Sequence, residues 1–296
     1  MVGLMNVRGL ATAKGFTNTH KVRALCVTMK GKRTGCMTET KISDVTLLGV
    51  VETHFKQDLE LDSCLVGTQY SWIGKRRKWF LPKDKGSGGV GLLYGSGLGK
   101  GKVLPTKADG LLWVQFDVAG RLINVLVAYF LPATATRQDN NEALSVELER
   151  IVTGLGLESN VLVLTDANGR IGNTESLTGQ LGRGLRGEDE DIAGLTETRF
   201  ARSNLDTIQN AQGLEILNTF NSLNLLVLNG LYSPMDFTFV GSRGYSMVDW
   251  IVTSESMTLK GEGVTAVIRS DLEIWTETTA PPNVATVQII VRSCLK

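Results

Sequence analysis

The stretch 160-NVLVLTDANGRIG-172 decides the fold. Four apolar residues, Val161 to Leu164, run straight through Thr165 into Asp166, Ala167 and Asn168, and the chain then turns through Gly169 and Gly172. A short unbroken apolar run suits a strand covered on both faces. Side chains on a strand alternate, so parity sends Asp166 and Asn168 to one side and Ala167 to the other. Polar groups at the carboxyl end of a covered strand stand on the rim of the core, where sites are built. The same Asp-x-Asn also makes a turn that bonds its own backbone. The remainder of the chain has to decide between the two.

Outward from this stretch, short apolar runs rich in β-branched residues recur between Gly, Pro, Asn and charge. They predict strands near 2–7, 45–52, 89–94, 111–118, 122–130, 160–166, 225–229, 236–240, 247–253, 264–268 and 284–292. Two helices separate them. One places Leu144, Leu148, Ile151 and Leu155 on one face, and the other Leu214, Leu217, Phe220 and Leu223. A weaker helix candidate covers about 19–30. There is no repeat of 20 to 50 residues and no low-complexity linker. Strands in the majority with helices between them predict two sheets packed face to face, helices outside, in one domain over residues 1–296.

Composition sets the class. The 42% apolar and 21% charged fractions are those of a globular protein. No run approaches the roughly 18 apolar residues of a membrane span, so no membrane partner is expected. The opening MVGLMNVRGL reads as a strand and lacks a signal-peptide core. Cys26, Cys36, Cys64 and Cys294 form no C-x-x-C pair, which points to a reducing, intracellular setting, nucleus or cytoplasm. A net charge of +1 means that attraction to nucleic acid has to come from a local patch. The best candidate is 72-WIGKRRKWFLPKDKG-86, where Lys75, Arg76, Arg77 and Lys78 lie among Trp72, Trp79 and Phe80. Cations hold phosphates, and aromatics stack on bases or wedge beside them. The plainer reading is a solvated loop whose aromatics tuck into the core.

Other polar residues stand at strand ends as Asp166 does. Asn6 follows the opening apolar residues, Glu52 closes VTLLGVVETH, and Tyr129 lies in NVLVAYFLP. Asp249 interrupts SMVDWIV, where a lone acid is costly unless partnered, and Asp271 follows VTAVIRS. Hard cations such as Mg²⁺ take one or two carboxylates plus waters and leave room for a substrate phosphate. A carboxylate beside such an ion can take a proton from water and so make the nucleophile for a phosphoryl centre. This set suits metal-assisted phosphodiester hydrolysis.

The ordered stretches NVRGL, GVVETH, GSGGVGLLY, NVLVAYFLP, VLVLTDANGRIG, NAQGLEILNTFNSLNLLVLNG, FTFVGSRGYSMVDWIV and RSD resemble the endonuclease/exonuclease/phosphatase superfamily. Within it they look most like the AP-endonuclease-like domain of LINE-type (non-LTR) retrotransposons. NAQGLEIL…LLVLNG and FTF…GYSMVDWIV favour that branch over the phosphatases and sphingomyelinases. The resemblance implies an α/β four-layer sandwich of two mixed β-sheets flanked by helices, the DNase-I-like fold. It implies Mg²⁺ (or Mn²⁺) as cofactor, DNA as partner, a reverse-transcriptase domain or chain alongside, and a monomer. By the same resemblance Glu52 holds the metal with Asn6 beside it, and Asp271 matches the aspartate of a closing Ser-Asp-His. Tyr129 touches the scissile phosphate, Asp166 positions or deprotonates the attacking water, and Asn168 steadies the phosphate. Asn210 lies along the DNA, and Asp249 pairs with a catalytic histidine.

Two departures stand out. Thr165-Asp166-Ala167-Asn168 replaces Gly-Asp-Phe-Asn, and Leu272 follows Ser270-Asp271 where the family has histidine. Leucine can neither take a proton nor donate to a phosphate oxygen. The chain's two histidines are His20 and His54, and His54 shares a face with Glu52 only if the strand continues. The expectation is an impaired nuclease. A catalytically inactive remnant that binds DNA or protein, and a small-molecule phosphatase, are the alternatives.

Overall fold

The computed structural model describes residues 2–6, 47–55, 65, 68–76, 88–133, 138–178, 198–231, 238–241, 244–254, 257, 265–269 and 288–292. Val161–Leu164 form the centre of a strand whose residues are buried from Val161 to Asp166. Its sheet runs β11 (Leu225–Val227), β14 (Asp249–Ser254), β8 (Asn160–Asp166), β7 (Arg121–Tyr129), β6 (Leu111–Val118) and β5 (Lys102–Leu104). Strand β8 lies parallel to β7 and antiparallel to β14, so the sheet is mixed. A second sheet runs β15 (Thr265–Arg269), β16 (Gln288–Arg292), β1 (Val2–Asn6), β2 (Leu47–Val51), β4 (Val90–Gly95) and β3 (Tyr70–Lys75). Here β1 and β2 are parallel, and the other pairs antiparallel.

The two sheets face each other across one apolar core that joins Leu4, Leu92 and Tyr94 to Val114, Val125 and Leu164. Tyr94 meets Phe116 edge to face at 5.0 Å. The sheets approach closely at Gly49, where an added Cβ would stand 2.8 Å from the Leu164 side chain. Leu164 therefore points at the opposite sheet, and by alternation so does Asp166. Trp250 has the other parity and points outward, where it packs edge to face on Phe220 at 6.3 Å. Phe220 belongs to α2 (Ala211–Ser222), which buries Ile216, Leu217 and Phe220. The longer α1 (Gln138–Leu155) buries Leu144, Leu148, Ile151 and Val152 in the same core. Leu155 and Leu214, expected on the buried faces, are half-buried. The result is an α/β sandwich, as expected. The helix candidate at 19–30 lies outside the described residues.

Several elements depart from expectation. Tyr70–Lys75 is an edge strand, not the start of a loop. Trp72 lies flat over Gly74 and Gly91, where added Cβ atoms would stand 2.6 and 2.2 Å from its ring. Three-residue strands β9 (Ser176–Thr178) with β10 (Thr198–Phe200), and β12 (Phe239–Gly241) with β13 (Gly244–Ser246), make two small hairpin-like sheets. Strands this short carry too little alternation to read.

Helix α2 is set by close backbone contact. Asn210 caps it, its Oδ1 accepting from the Gly213 N–H at 2.8 Å. A Cβ on Gly213 would stand 2.3 Å from the Arg170 carbonyl oxygen. In an open helix Gly→Ala stabilises by about 1 kcal/mol. Here Gly213→Ala should instead cost about 2–3 kcal/mol, because backbone has to move. Urea unfolding with an unchanged m-value reads this, and a more stable variant would refute the close packing.

Candidate active site

Register brings the site together. Tyr129 is paired with Asp166 across β7 and β8, and Asp166 with Asp249 across β8 and β14. Directly paired residues present side chains to the same face. Tyr129, Asp166 and Asp249 thus form one row across three strands, facing the other sheet. Opposite the row, β2 ends at Val51 and Glu52 follows. The Tyr129 hydroxyl donates to Glu52 Oε1 at 2.5 Å, joining the two sheets at this rim. Asn6 ends β1 beside Val51 in the parallel register, so its backbone reaches the same rim.

Glu52 does not continue the strand. Its φ is 55°, and that of His54 is 58°. The turn is pinned by the Thr53 N–H on the Gly89 carbonyl at 3.2 Å and the His54 N–H on the Gly88 carbonyl at 3.0 Å. A left-handed conformation costs a non-glycine residue on the order of 1–3 kcal/mol. With the strand broken at Val51, alternation gives no shared face to Glu52 and His54.

Asn168 is also left-handed, with φ of 45°. Strand β8 stops at Asp166, so a turn, not a pleat, carries Asn168 back to the site. Its N–H donates to Asp166 Oδ1 at 3.0 Å, and its Nδ2 donates to the Phe130 carbonyl at 2.8 Å. The self-bonding turn and the rim position are therefore the same structure. Ala167 is fully buried and donates its N–H to the Val248 carbonyl at 2.8 Å.

Electrostatics follow from burial. Asp166 and Asp249 are buried and Glu52 half-buried. Desolvation, then the charges of Glu52 and Asp166 and the hydrogen bond to Glu52, push the Tyr129 hydroxyl far above its ordinary pKa. A side-chain hydrogen bond with Asn168 opposes them. Tyr129 is a neutral donor at physiological pH.

The residues that hold this site were not foreseen. Thr238 Oγ1 accepts from the Val248 and Asp249 N–H groups at 2.9 and 3.0 Å. The Asn229 carboxamide donates to the Asp249 carbonyl at 2.9 Å and accepts from the Ile251 N–H at 3.0 Å. Gln212 Nε2 donates to the Ala167 carbonyl at 2.7 Å and the Leu131 carbonyl at 3.1 Å. Thr238 and Asn229 belong to FTF and LNG, so the motifs carried the signal without its meaning.

The proposed DNA contacts fare differently. Lys75 is spent inside the fold: its ammonium donates to Thr106 Oγ1 at 2.7 Å and to the carbonyls of Ala108 and Leu111 at 2.7 and 3.0 Å. These three acceptors match the three N–H groups of its ammonium and hold it within the fold. Arg76 is exposed. Arg77, Lys78, Asp271 and Leu272 lie outside the described residues. Asn210 spends its Oδ1 on the Arg170 and Gly213 N–H groups and is exposed at the start of α2.

Among the described residues no three His, Cys, Asp or Glu side chains come close enough to share a metal ion. A hard cation needs fewer. Glu52 is half-buried, and among the described residues its Oε2 takes no hydrogen bond, which suits one carboxylate ligand of an otherwise hydrated ion.

No family model and no curated protein sequence matches the chain. Solved structures do. The endonuclease domain of TRAS1, a telomere-specific non-LTR retrotransposon, is 13% identical over 98% of this chain and 97% of its own, with a TM-score of 0.53. The 3′ phosphatase NExo from Neisseria, solved bound to a product DNA hairpin, is 12% identical over 98% of both chains, with a TM-score of 0.57. An AP endonuclease from Archaeoglobus fulgidus is 12% identical over 100% of both chains, with a TM-score of 0.56. The chain has the endonuclease/exonuclease/phosphatase fold.

The raised Tyr129 pKa has a measurable sign. Between the unfolded value of 10.0 and the higher folded one, the unfolded chain holds fewer protons than the folded chain. Its contribution to stability is therefore complete below pH 10.0 and falls by about 1.4 kcal/mol per pH unit above it. Tyr129→Phe should remove that slope from denaturant midpoints measured across alkaline pH. Parallel curves for the two proteins would show that the hydroxyl is not buried against Glu52.

Proposed function

We propose that the chain is a Mg²⁺- or Mn²⁺-dependent phosphodiesterase that nicks DNA. Its type is the endonuclease with which a non-LTR retrotransposon primes insertion, and Leu272 slows it. One observation carries the reading: Tyr129, Asp166 and Asp249 in one register row, with Glu52 bonded to Tyr129 from the opposite sheet. In this reading Glu52 holds the ion, with Asn6 and Asp271 as further ligands. The ion supplies charge neutralisation at the phosphate. Tyr129 stays protonated, and its one hydroxyl proton turns from Glu52 to a non-bridging phosphate oxygen when Glu52 holds the ion. Asp166 accepts a proton from, or positions, the attacking water. Asn168 presents its carboxamide to the phosphate from a turn that cannot drift, because Asp166 and Phe130 both fix it. Asp249 has its main chain clamped by Thr238 and Asn229.

Leu272 removes the imidazole that would complete the set, and lost acid–base assistance costs about 10²–10⁴-fold in rate. The same substitution supports a second reading, a remnant that keeps the fold to bind DNA or protein. A reverse-transcriptase domain or chain is the partner that the first reading implies.

Nicking of supercoiled plasmid with Mg²⁺ and with EDTA tests the proposal. Weak, EDTA-sensitive nicking is expected, rising about 10²-fold or more in Leu272→His. Asp166→Asn should abolish the activity of both. Strong nicking by the native chain would remove the impairment. No nicking by either protein, with DNA binding kept, would leave the remnant reading.

A further inference from the structure

Residues 201–208 carry an inverted pattern. Arg202, Asn204 and Asp206 are buried, while Leu205 and Ile208 are 59% and 54% exposed. Polar inside and apolar outside is the reverse of what burial of apolar surface selects. The polar side chains hold the segment down. Arg202 donates to the carbonyls of Thr174 and Asn229 and to Ser176 Oγ. Asn204 Nδ2 donates to the Gly172 carbonyl at 2.7 Å. Asp206 takes both Arg170 Nε, at 2.9 Å, and Arg170 Nη2, and also the N–H groups of Ile208 and Met247. Leu205 and Ile208 are thus raised on a braced support.

The support belongs to the rim of the active site. Met247, which Asp206 grips at 2.8 Å, is two residues before Asp249. Gln209 forms a bridge with Ile171, in the loop that follows Asp166 and Asn168. The segment is thus bonded to both loops that flank the row of Tyr129, Asp166 and Asp249.

We propose that Leu205 and Ile208 form a fixed apolar ridge that enters a groove of duplex DNA beside the scissile phosphate. The proposal rests on the DNA-nicking reading for its substrate. Apolar side chains of this kind insert at base steps when presented rigidly. The surface around them suits a polyanion: exposed residues Ala201, Ser203, Thr207, Gln209 and Asn210 carry no charge, and the one acid, Asp206, is buried on Arg170. Two aliphatic side chains are far short of the about 800 Å² per partner of a stable protein interface.

The test is anisotropy of a labelled DNA duplex titrated with the full chain in EDTA over a range of salt. The double variant Leu205→Gln/Ile208→Gln should bind about ten-fold more weakly, as for loss of a base-level contact. Its salt dependence should match the native chain, because no phosphate contact is lost. Leu122→Gln/Leu157→Gln, exposed leucines at the opposite end of β7 and β8, is the control and should change neither. Native binding that the ridge variant retains in full overturns the ridge and leaves the nuclease reading standing. No DNA binding by the native chain overturns both. A native dimer that the ridge variant dissociates, seen by light scattering, overturns the ridge in favour of self-association.

Discussion

Everything at the rim depends on the register of three neighbouring strands. Tyr129, Asp166 and Asp249 come from parts of the chain far apart, and each is aligned by main-chain pairing of β7, β8 and β14. A slip of one residue in either pairing would turn one of them to the helix face. The apolar residues behind them prevent that slip. Val127, Leu164 and Ile251 form the next row inward on the same face, all buried against the opposite sheet. The core that stabilises the sandwich is thus also the gauge that sets the polar row.

The second sheet contributes through strain. Glu52 reaches Tyr129 because the chain leaves β2 in a left-handed turn, and Asn168 returns to Tyr129 by another. Both turns are over-determined by hydrogen bonds, to Gly88 and Gly89 in one case and to Asp166 and Phe130 in the other. Strain concentrated at two polar residues that converge on one buried hydroxyl is the pattern of a preorganised site.

How much of this was legible varied with the distance over which the information acts. Strand β8 was plain, because its apolar run is continuous. The grouping of Glu52, Tyr129, Asp166, Asn168 and Asp249 was implied by resemblance; the register aligns Tyr129, Asp166 and Asp249, and hydrogen bonds bring Glu52 and Asn168 to them. The face of Asn168 was reached by a wrong route: alternation was assumed past the end of the strand, and a left-handed φ restored the position. The inward bonds of Lys75 were not legible because their acceptors lie more than thirty residues along the chain. Strand β3 was missed because Gly74 breaks its alternation, and Trp72 covers that glycine and Gly91 from above. Local patterning cannot report either fact.

The hydrogen bonds that place the polar row come from the sheet and its flanking turns. Asp249 is placed by Thr238 and Asn229 acting on its main chain, and Asn168 by Asp166 and Phe130. None of these bonds involves an imidazole. The positions of these residues are defined by the sheet and its turns. Strands β7, β8 and β14 therefore present an ordered polar row whose placement rests on main-chain pairing and on these clamps.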